Sequence, residues 1–301
     1  MGINMNSSVG DILTAMVTSF HKDGTVNFDG SAALASYLVE NGSDGLVVSG
    51  TTGESPTLTD NEKIDLIRVV CDAVAGRGTV VAGTGSNDTA HSIELTRRAS
   101  EKGIDAILAV TPYYNKPPRA GLIEHFKALA DAADGKPVIL YNIPGRCVIN
   151  IDPETLCELN EIENIIAVKQ ANPDLEESRR LSQLCDIGLY AGNDDMLFPL
   201  LEMGGWGGIC VASHIVGPQM KKMVELFRAG KIEEARAIDD LLKPLYDVLF
   251  ITANPIILLA ALNMMGHKVG DVRLPLVPAT EDEKVELRRV LDQLELVQER
   301  T

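Results

Sequence analysis

One lysine stands where a buried strand is expected to end. Lys169 closes the apolar run IIAVK at residues 165–169. Apolar surroundings disfavour the charged ammonium and leave a neutral amine, which is the form that attacks a carbonyl carbon. Such an amine in a dry pocket is the requirement for Schiff-base catalysis. Lys169 is therefore a candidate nucleophile, although a lysine at a strand end can also simply extend its charge to solvent.

A tyrosine and a pair of threonines could handle the protons and the carboxylate of a bound carbonyl compound. Tyr141 ends the run PVILY at 137–141, and a phenol can donate to a carbonyl oxygen and pass protons. Thr51 and Thr52 stand in the glycine-flanked turn GTTGES at 50–55, whose hydroxyls and backbone N–H groups could bind a carboxylate. The plainer alternatives are a tyrosine that packs its ring and bonds the backbone, and a turn that only caps the next helix.

A charged loop and an aromatic loop follow two of the apolar runs. Arg146 lies in NIPGR at 142–146, and its planar guanidinium can bind a second carboxylate through two bonds. For Arg146, an ordinary surface position in a loop is the alternative. Tyr113 and Tyr114 lie between prolines in TPYYNKPP, which suits a site wall or a subunit interface.

Other kinds of chemistry find little support in the sequence. No zinc-protease, P-loop or EF-hand pattern occurs, and the five histidines have no ligand spacing, so we expect no metal. Asp194 and Asp195 are interpreted as a helix N-cap and first turn rather than an acid–base pair. The five cysteines form no C-x-x-C pair, which predicts free thiols in a reducing cytosol rather than a disulfide framework or a zinc site.

Composition restricts the partners and the location of the protein. The 301-residue chain has a net charge of -16, which disfavours binding to nucleic acid or to anionic membranes. The N-terminus has neither the basic nor the apolar region of a signal peptide. The most apolar stretch, 250–266, is shorter than the roughly 20 residues that span a bilayer and contains Asn254 and Pro255. These observations predict a cytoplasmic protein.

Short apolar runs alternate along the chain with segments of helical period. The expected strands are 12–17, 45–49, 79–83, 105–110, 137–141, 165–169, 188–192 and 207–212. The expected helices between them are 30–41, 60–76, 89–102, 119–133, 153–160, 174–184 and 194–203. Because the runs lack polar alternation, both faces of each strand should be covered, as in a parallel sheet. This pattern predicts an α/β fold, a (β/α)8 TIM barrel whose active site lies at the C-terminal ends of the strands.

The alternative fold is an open doubly wound sheet. GTGSN at 83–87 is only a partial match to the glycine-rich motif of such folds, and it does not follow the first strand. Beyond the eighth strand, further helices are expected at 217–229, 231–249, 254–265 and 281–298. Because this is more than one closing helix, we predict a barrel domain over 1–230 that holds the active site and a small C-terminal helical domain over 231–301.

The motifs GTTGES, VTPYYNKP, LYNIPGR and VKQ occur in an order and spacing that resembles the dihydrodipicolinate synthase family of the N-acetylneuraminate lyase superfamily. The resemblance runs from about residue 12 to the C-terminus. It implies a class I aldolase-type lyase that condenses pyruvate with L-aspartate 4-semialdehyde, on the route to diaminopimelate and lysine. It also implies a homotetramer, built as a dimer of dimers, and no cofactor apart from the covalent imine between lysine and pyruvate.

The resemblance implies a role for each of the candidate residues. Lys169 matches the Schiff-base lysine. The residues that match a proton relay are Tyr141, Thr51 and Tyr114, the last of which reaches across a subunit interface. The residues that match substrate-binding positions are Thr52 for the pyruvate carboxylate, Arg146 for the semialdehyde carboxylate, and Gly192 and Ile209 for the lining of the pocket.

Regulation and substrate choice are the points on which relatives differ. In relatives that lysine inhibits, histidines and a glutamate help to hold lysine at a subunit interface, and the matching residues here are Asp60, Lys63 and His91. The ammonium of Lys63 would repel that of free lysine, so we predict weak or no inhibition. Ser19 and the sequence QANP after Lys169 also depart from the usual pattern of the family.

Three other functions remain open at this point. One is a lyase of sialic acids or keto-deoxy sugar acids, which would have less need of Arg146 and of the GTTGES turn. Another is a barrel that binds a keto acid without catalysis. The third is a phosphate-binding barrel isomerase, for which only GGWGG at 204–208, ahead of the last strand, offers a glycine-rich segment.

Overall fold

The computed structural model describes residues 9–296. Residues 1–8, where no signal peptide was expected, lie outside this range. So do residues 297–301, which include the end of the helix expected over 281–298.

Eight parallel strands form a closed barrel in chain order. The strands are β1 (Ile12–Ala15), β2 (Gly45–Val48), β3 (Thr79–Gly83), β4 (Ala106–Val110), β5 (Val138–Asn142), β6 (Ile165–Gln170), β7 (Gly188–Ala191) and β8 (Gly207–Cys210). The barrel closes where β1 pairs with β8, with Leu13 opposite Ile209. This confirms the predicted (β/α)8 barrel and excludes the open doubly wound sheet.

Helices follow the strands on the outside of the barrel. The first eight are α1 (Phe28–Glu40), α2 (Asp60–Val74), α3 (Thr89–Ser100), α4 (Arg119–Ala132), α5 (Pro144–Cys147), α6 (Pro153–Leu159), α7 (Leu175–Leu184) and α8 (Leu197–Glu202). The last four are α9 (Ser213–Arg228), α10 (Ile232–Leu249), α11 (Ile256–Met264) and α12 (Glu281–Gln293). Thr59 begins α2 with a capping box, in which its hydroxyl accepts from the Glu62 N–H and its own N–H donates to the Glu62 carboxylate.

Alternate residues of each strand face opposite sides of the barrel wall, as the geometry of a strand requires. One set fills the interior and includes Leu13, Val47, Val81, Leu108, Ile139, Ala167 and Ile209. The other set packs beneath the helices and includes Ile12, Leu46, Val80, Ile107, Leu140 and Val168. Burial of both sets explains why the strands were recognisable as apolar runs without polar alternation.

The segment between α11 and α12 is bound to the C-terminal face of the barrel through Arg273. Its guanidinium donates to the Glu62 carboxylate at 2.6 Å, to the Thr57 carbonyl at 2.8 Å and to the Gly24 carbonyl at 2.7 Å. It also lies over the Phe20 ring, 4.5 Å from its centroid. The helices expected after the barrel are therefore packed onto it, while the domain boundary at residue 230 stays a prediction.

The prediction that all five cysteines are free thiols was wrong. Cys157 of α6 and Cys185, which follows α7, form a disulfide with their Cα atoms 5.7 Å apart. Cys157 lies near the end of α6 and Cys185 directly after α7, and the packing of these neighbouring helices brings the two together from a separation of 28 residues, which no local motif reveals. Cys71, Cys147 and Cys210 are free, as predicted.

Within residues 9–296, no helix is both long and apolar enough to cross a membrane.

The contact of Glu62 with Arg273 should make the protein sensitive to acid. The bonds from Arg273 lower the pKa of Glu62 to about 2, from an ordinary value of 4.5. Because the pKa is lowered in the folded state, this stabilisation is complete above pH 4.5 and is lost as the pH falls towards 2. Glu62→Gln keeps a capping-box residue but loses the charge, so we expect it to unfold with about 1–2 kcal/mol less free energy at pH 7.

Urea unfolding of both proteins across the pH range measures this difference. It should disappear as the pH approaches 2. The matched control is Asp72→Asn, which removes an exposed ion pair with Arg68 and should change the unfolding free energy by less than about 0.5 kcal/mol. A difference between Glu62→Gln and the unmodified protein that did not vary with pH would contradict the assignment.

Candidate active site

Lys169 and Tyr141 lie side by side at the C-terminal end of the barrel. They are opposite each other in the register of β5 and β6. Lys169 continues the inward-facing set of Ala167, and Tyr141 continues that of Ile139, so both side chains point into the mouth of the barrel. Lys169 is 5% exposed, and its Nζ lies 4.4 Å from the centroid of the Tyr141 ring. Among the described residues, no carboxylate lies within 4 Å of this Nζ.

The GTTGES turn follows β2 at the same end of the barrel. Ser49 and Glu54, at its two ends, adopt left-handed backbone conformations with φ of 58° and 53°. This compact geometry buries the side chain of Thr52, while Thr51 remains partly exposed to the central cavity. The turn thus presents two hydroxyls at different depths.

Glu54 anchors the turn to the C-terminal segment. Its Oε2 accepts from the backbone N–H of Arg273 at 2.9 Å, while its Oε1 has no partner among the described residues. Burial raises the pKa of Glu54 to about 7, and the bond from Arg273 opposes this rise. The position of Thr51 and Thr52 therefore depends on contacts with a segment more than 200 residues away.

Arg146 lies on the short helix α5, which the sequence did not predict. The helix is set up by Pro144 at its start, and its last residue, Cys147, donates its thiol to the Thr111 carbonyl at 3.1 Å. Arg146 is exposed and lines the cavity. Within residues 9–296, its guanidinium has no carboxylate within 4 Å, so it is available to an anionic ligand.

Gly192 and Ile209 lie at the ends of neighbouring strands, β7 and β8. Ile209 is fully buried in the barrel interior. A Cβ on Gly192 would lie 2.7 Å from the Cβ of Ala171 and 2.8 Å from the carbonyl oxygen of Gln170. These distances are too short for a side chain, so only glycine fits there. The close approach is held by the Gly192 N–H, which donates to the Gln170 carbonyl at 2.7 Å.

Asp194 has a different role from the one predicted. It is in the first turn of a 3-10 helix, as expected, but Asn193 is the N-cap residue. The buried carboxylate of Asp194 instead accepts from the backbone N–H groups of Val211 at 2.8 Å and Ala212 at 3.2 Å. Burial raises its pKa to about 6, against the opposing effect of these bonds. Asp194 therefore fixes the loop after β8.

A cavity of about 740 Å³ opens at this end of the barrel. The predicted site residues in its wall are Thr51, Tyr141 and Arg146, together with Tyr113. Those outside the wall are Lys169, Thr52 and Ile209, which are buried, Gly192, which is partly exposed, and Tyr114. The Tyr114 side chain is 88% exposed and its backbone has a φ of 72°. Three of the eight predicted residues therefore line the cavity, Lys169 lies beside one of them, and Tyr114 stays at the surface.

Asn254 is a wall residue that the sequence did not single out. It precedes α11, and its Nδ2 donates to Thr52 Oγ1 at 2.9 Å. The two residues are 202 positions apart, so no local pattern links them. A buried asparagine in the most apolar stretch of the chain was the one signal that could have suggested it.

A second polar group lines the outer part of the same cavity. Asp60 lies between two basic side chains, 2.9 Å from His91 Nε2 and 3.7 Å from Lys63 Nζ. Burial lowers the pKa of Lys63, while the Asp60 carboxylate opposes this effect. These are the residues from which weak inhibition by lysine was predicted.

The described part of the chain contains no cluster of three or more His, Cys, Asp or Glu side chains suited to a metal ion.

The sequence model of the dihydrodipicolinate synthetase family matches residues 8–294. Among curated proteins, a 4-hydroxy-tetrahydrodipicolinate synthase from Moorella thermoacetica is 50% identical over 290 residues. That alignment covers 96% of this chain and 99% of the relative.

Solved structures of similar proteins cover nearly the whole chain. A dihydrodipicolinate synthase from Cyanidioschyzon merolae with lysine bound superposes with a TM-score of 0.95 at 44% identity, covering 97% of this chain and 100% of the other. A chloride-inhibited dihydrodipicolinate synthase from Acinetobacter baumannii, in complex with pyruvate, has a TM-score of 0.93 at 34% identity. It covers 96% of this chain and 100% of the other.

Proposed function

The chain belongs to the dihydrodipicolinate synthetase family, and from this premise we propose that it is a 4-hydroxy-tetrahydrodipicolinate synthase. It condenses pyruvate with L-aspartate 4-semialdehyde, in the biosynthesis of diaminopimelate and lysine. The observation that carries the proposal is the burial of Lys169 beside Tyr141 in the barrel mouth. Tyr141 lines a cavity whose wall also contains Arg146, an arginine without a carboxylate partner in the described chain.

Pyruvate binds first and becomes a carbon nucleophile. Thr51 and Thr52 hold its carboxylate, and the Lys169 amine attacks the keto carbon to form a carbinolamine. Loss of water gives the imine, and loss of a methyl proton gives the enamine. The first step needs the neutral amine, and Lys169 is buried beside Tyr141 with no carboxylate within 4 Å of its Nζ in the described chain. No cofactor takes part, because the imine itself draws electrons from the methyl carbon.

Proton transfers pass through Tyr141, Thr51 and Tyr114. Tyr141 lies beside Lys169, with the amine over its ring at 4.4 Å. Tyr114 is almost fully exposed and outside the cavity of its own chain. We therefore propose that it completes the site of a neighbouring subunit in a homotetramer, where its hydroxyl joins the relay.

The semialdehyde enters second and is held by Arg146. Its carboxylate binds the guanidinium, and its aldehyde carbon accepts the enamine. The amino group of the substrate then displaces Lys169 by transimination, which closes the ring and frees the enzyme. An enzyme that catalyses this overall reaction is a carbon–nitrogen lyase. We propose that it acts in the cytoplasm.

Trapping of the imine tests the nucleophile directly. With pyruvate and borohydride, the protein should gain the mass of one reduced pyruvate, and peptide mapping should locate it on Lys169. Lys169→Ala should lose both the adduct and the activity, because no other amine lies beside Tyr141 in the described structure. The control is Lys127→Ala, which changes an exposed lysine and should be trapped normally.

A coupled assay then tests the full reaction. Pyruvate, the semialdehyde and the NADPH-dependent reductase that consumes the product are mixed, and nicotinamide absorbance is followed. Loss of absorbance that needs every component supports the synthase. Trapping on Lys169 without this loss would instead indicate a pyruvate lyase of sugar acids, and no trapping at all would indicate a barrel that only binds a keto acid.

Arg146→Ala should weaken the use of the semialdehyde and leave pyruvate binding intact. A bond between a guanidinium and a carboxylate contributes about 1.5–3 kcal/mol, so the KM for the semialdehyde should rise roughly 10- to 100-fold. Imine trapping as a function of pyruvate concentration should not change. The matched control is Arg179→Ala, which removes an exposed arginine of α7. An unchanged KM for the semialdehyde would show that Arg146 has another role.

Lysine should inhibit this enzyme weakly or not at all. Lys63 is held by Asp60 in the outer cavity, so its ammonium opposes the approach of a second one. Initial rates measured against lysine concentration test this, with Lys63→Ala as the comparison, because removal of the charge should make any inhibition stronger. Strong inhibition of the unmodified enzyme at sub-millimolar lysine would contradict the prediction.

A further inference from the structure

We propose that Asn254 is a positioning residue of the active site, whose amide holds the Thr52 hydroxyl in the orientation that donates to the pyruvate carboxylate. The inference rests on the proposed function, since it concerns the substrate and the role given there to Thr52. It gives the C-terminal helices a direct part in binding the substrate.

The direction of the hydrogen bond between Asn254 and Thr52 determines whether the proton of the Thr52 hydroxyl is free. Asn254 Nδ2 lies 2.9 Å from Thr52 Oγ1. An amide NH2 group can only donate, so Thr52 Oγ1 is the acceptor. A threonine hydroxyl has a single proton, and no other hydrogen bond between described residues engages it. That proton is therefore available to an ionised carboxylate, which only accepts.

Orientation matters here because Thr52 is buried. The side chain is 3% exposed, so bulk water does not compete for its proton or turn it at no cost. A hydroxyl that rotated freely would lose orientational entropy when the substrate bound. A hydroxyl already fixed through its lone pair loses less, which strengthens binding of the carboxylate.

The other end of the same amide argues against a purely structural role for Asn254. The residue is 7% exposed, and its Oδ1 has no hydrogen-bond partner among residues 9–296. A buried acceptor without a partner destabilises a fold, whereas an apolar side chain of the same shape would not. A segment that needed only to pack α11 on the barrel would be better served by leucine. The amide of Asn254 is explained by the hydrogen bond that it donates to the Thr52 hydroxyl.

The test measures how imine formation depends on pyruvate concentration, by borohydride trapping and intact-protein mass. Asn254→Leu keeps the approximate volume and removes the donor, and Thr52→Val keeps the shape and removes the hydroxyl. We expect the half-saturating pyruvate concentration to rise roughly 5- to 10-fold for Asn254→Leu and roughly 10- to 100-fold for Thr52→Val. In steady-state kinetics, Asn254→Leu should raise the KM for pyruvate more than it lowers kcat.

The double variant decides whether Asn254 acts through Thr52. In the Thr52→Val background, Asn254→Leu should change the half-saturating concentration by less than about twofold, because there is no hydroxyl left to orient. A further 5- to 10-fold rise would mean an independent structural effect and would overturn the proposal. So would an Asn254→Leu protein that binds pyruvate like the unmodified one.

Two additional variants guard against failure to fold and against general damage to the C-terminal helices. Asn254→Asp is isosteric but puts an acceptor where the donor was, so the Thr52 proton turns towards it. We expect a larger loss of pyruvate binding than for Asn254→Leu, and this variant replaces Asn254→Leu in the cycle if the latter does not fold. Asn263→Leu removes the amide on α11 that donates to the Gly270 carbonyl at 2.8 Å, and it should leave pyruvate binding unchanged.

The outcomes also separate this inference from the function on which it rests. If the unmodified protein forms no trappable imine with pyruvate, the proposed function fails. If it forms the imine and the Asn254 variants saturate normally, the function stands and only the role of Asn254 is wrong.

Discussion

The closure of eight parallel strands, from β1 back to β8, is the constraint on which the rest of the molecule depends. In a closed barrel, every second side chain of a strand must point inward, and at the C-terminal ends of the strands those side chains line the mouth of the barrel. This places Lys169 and Tyr141 opposite each other, with the lysine amine over the tyrosine ring. The same constraint buries the lysine and directs its amine into the mouth of the barrel.

The barrel alone does not complete the site, because the GTTGES turn is also bound by the segment that follows the barrel. Its two ends adopt left-handed conformations, and its carboxylate, Glu54, is bonded by the backbone of Arg273. Arg273 also binds Glu62 at the start of α2, just after the turn. Together with the bond from Asn254 to Thr52, these contacts show that the C-terminal part of the chain supports the GTTGES turn.

Sequence patterns predicted the elements well, since each strand lies within two residues of its expected bounds. They succeeded because both faces of each strand are buried, so that apolar runs stand out. They failed where the structure depends on contacts between distant segments. The Cys157–Cys185 disulfide, the bonds of Asp194 to the loop after β8, and the reach of Asn254 to Thr52 have no local signature. The short helix that carries Arg146 was missed because four residues are too few to show a helical period.

Several polar groups at the barrel mouth lack a hydrogen-bond or ion-pair partner in the described chain. Arg146 has no carboxylate, and Asn254 Oδ1, Glu54 Oε1 and Ser49 Oγ are buried without a hydrogen bond. Buried groups of this kind lower the stability of a protein. A ligand that supplies a missing partner at the cavity regains part of this free energy when it binds. Under the proposed function, the carboxylate of pyruvate brings an acceptor to the Thr52 hydroxyl, and the carboxylate of the semialdehyde brings one to Arg146.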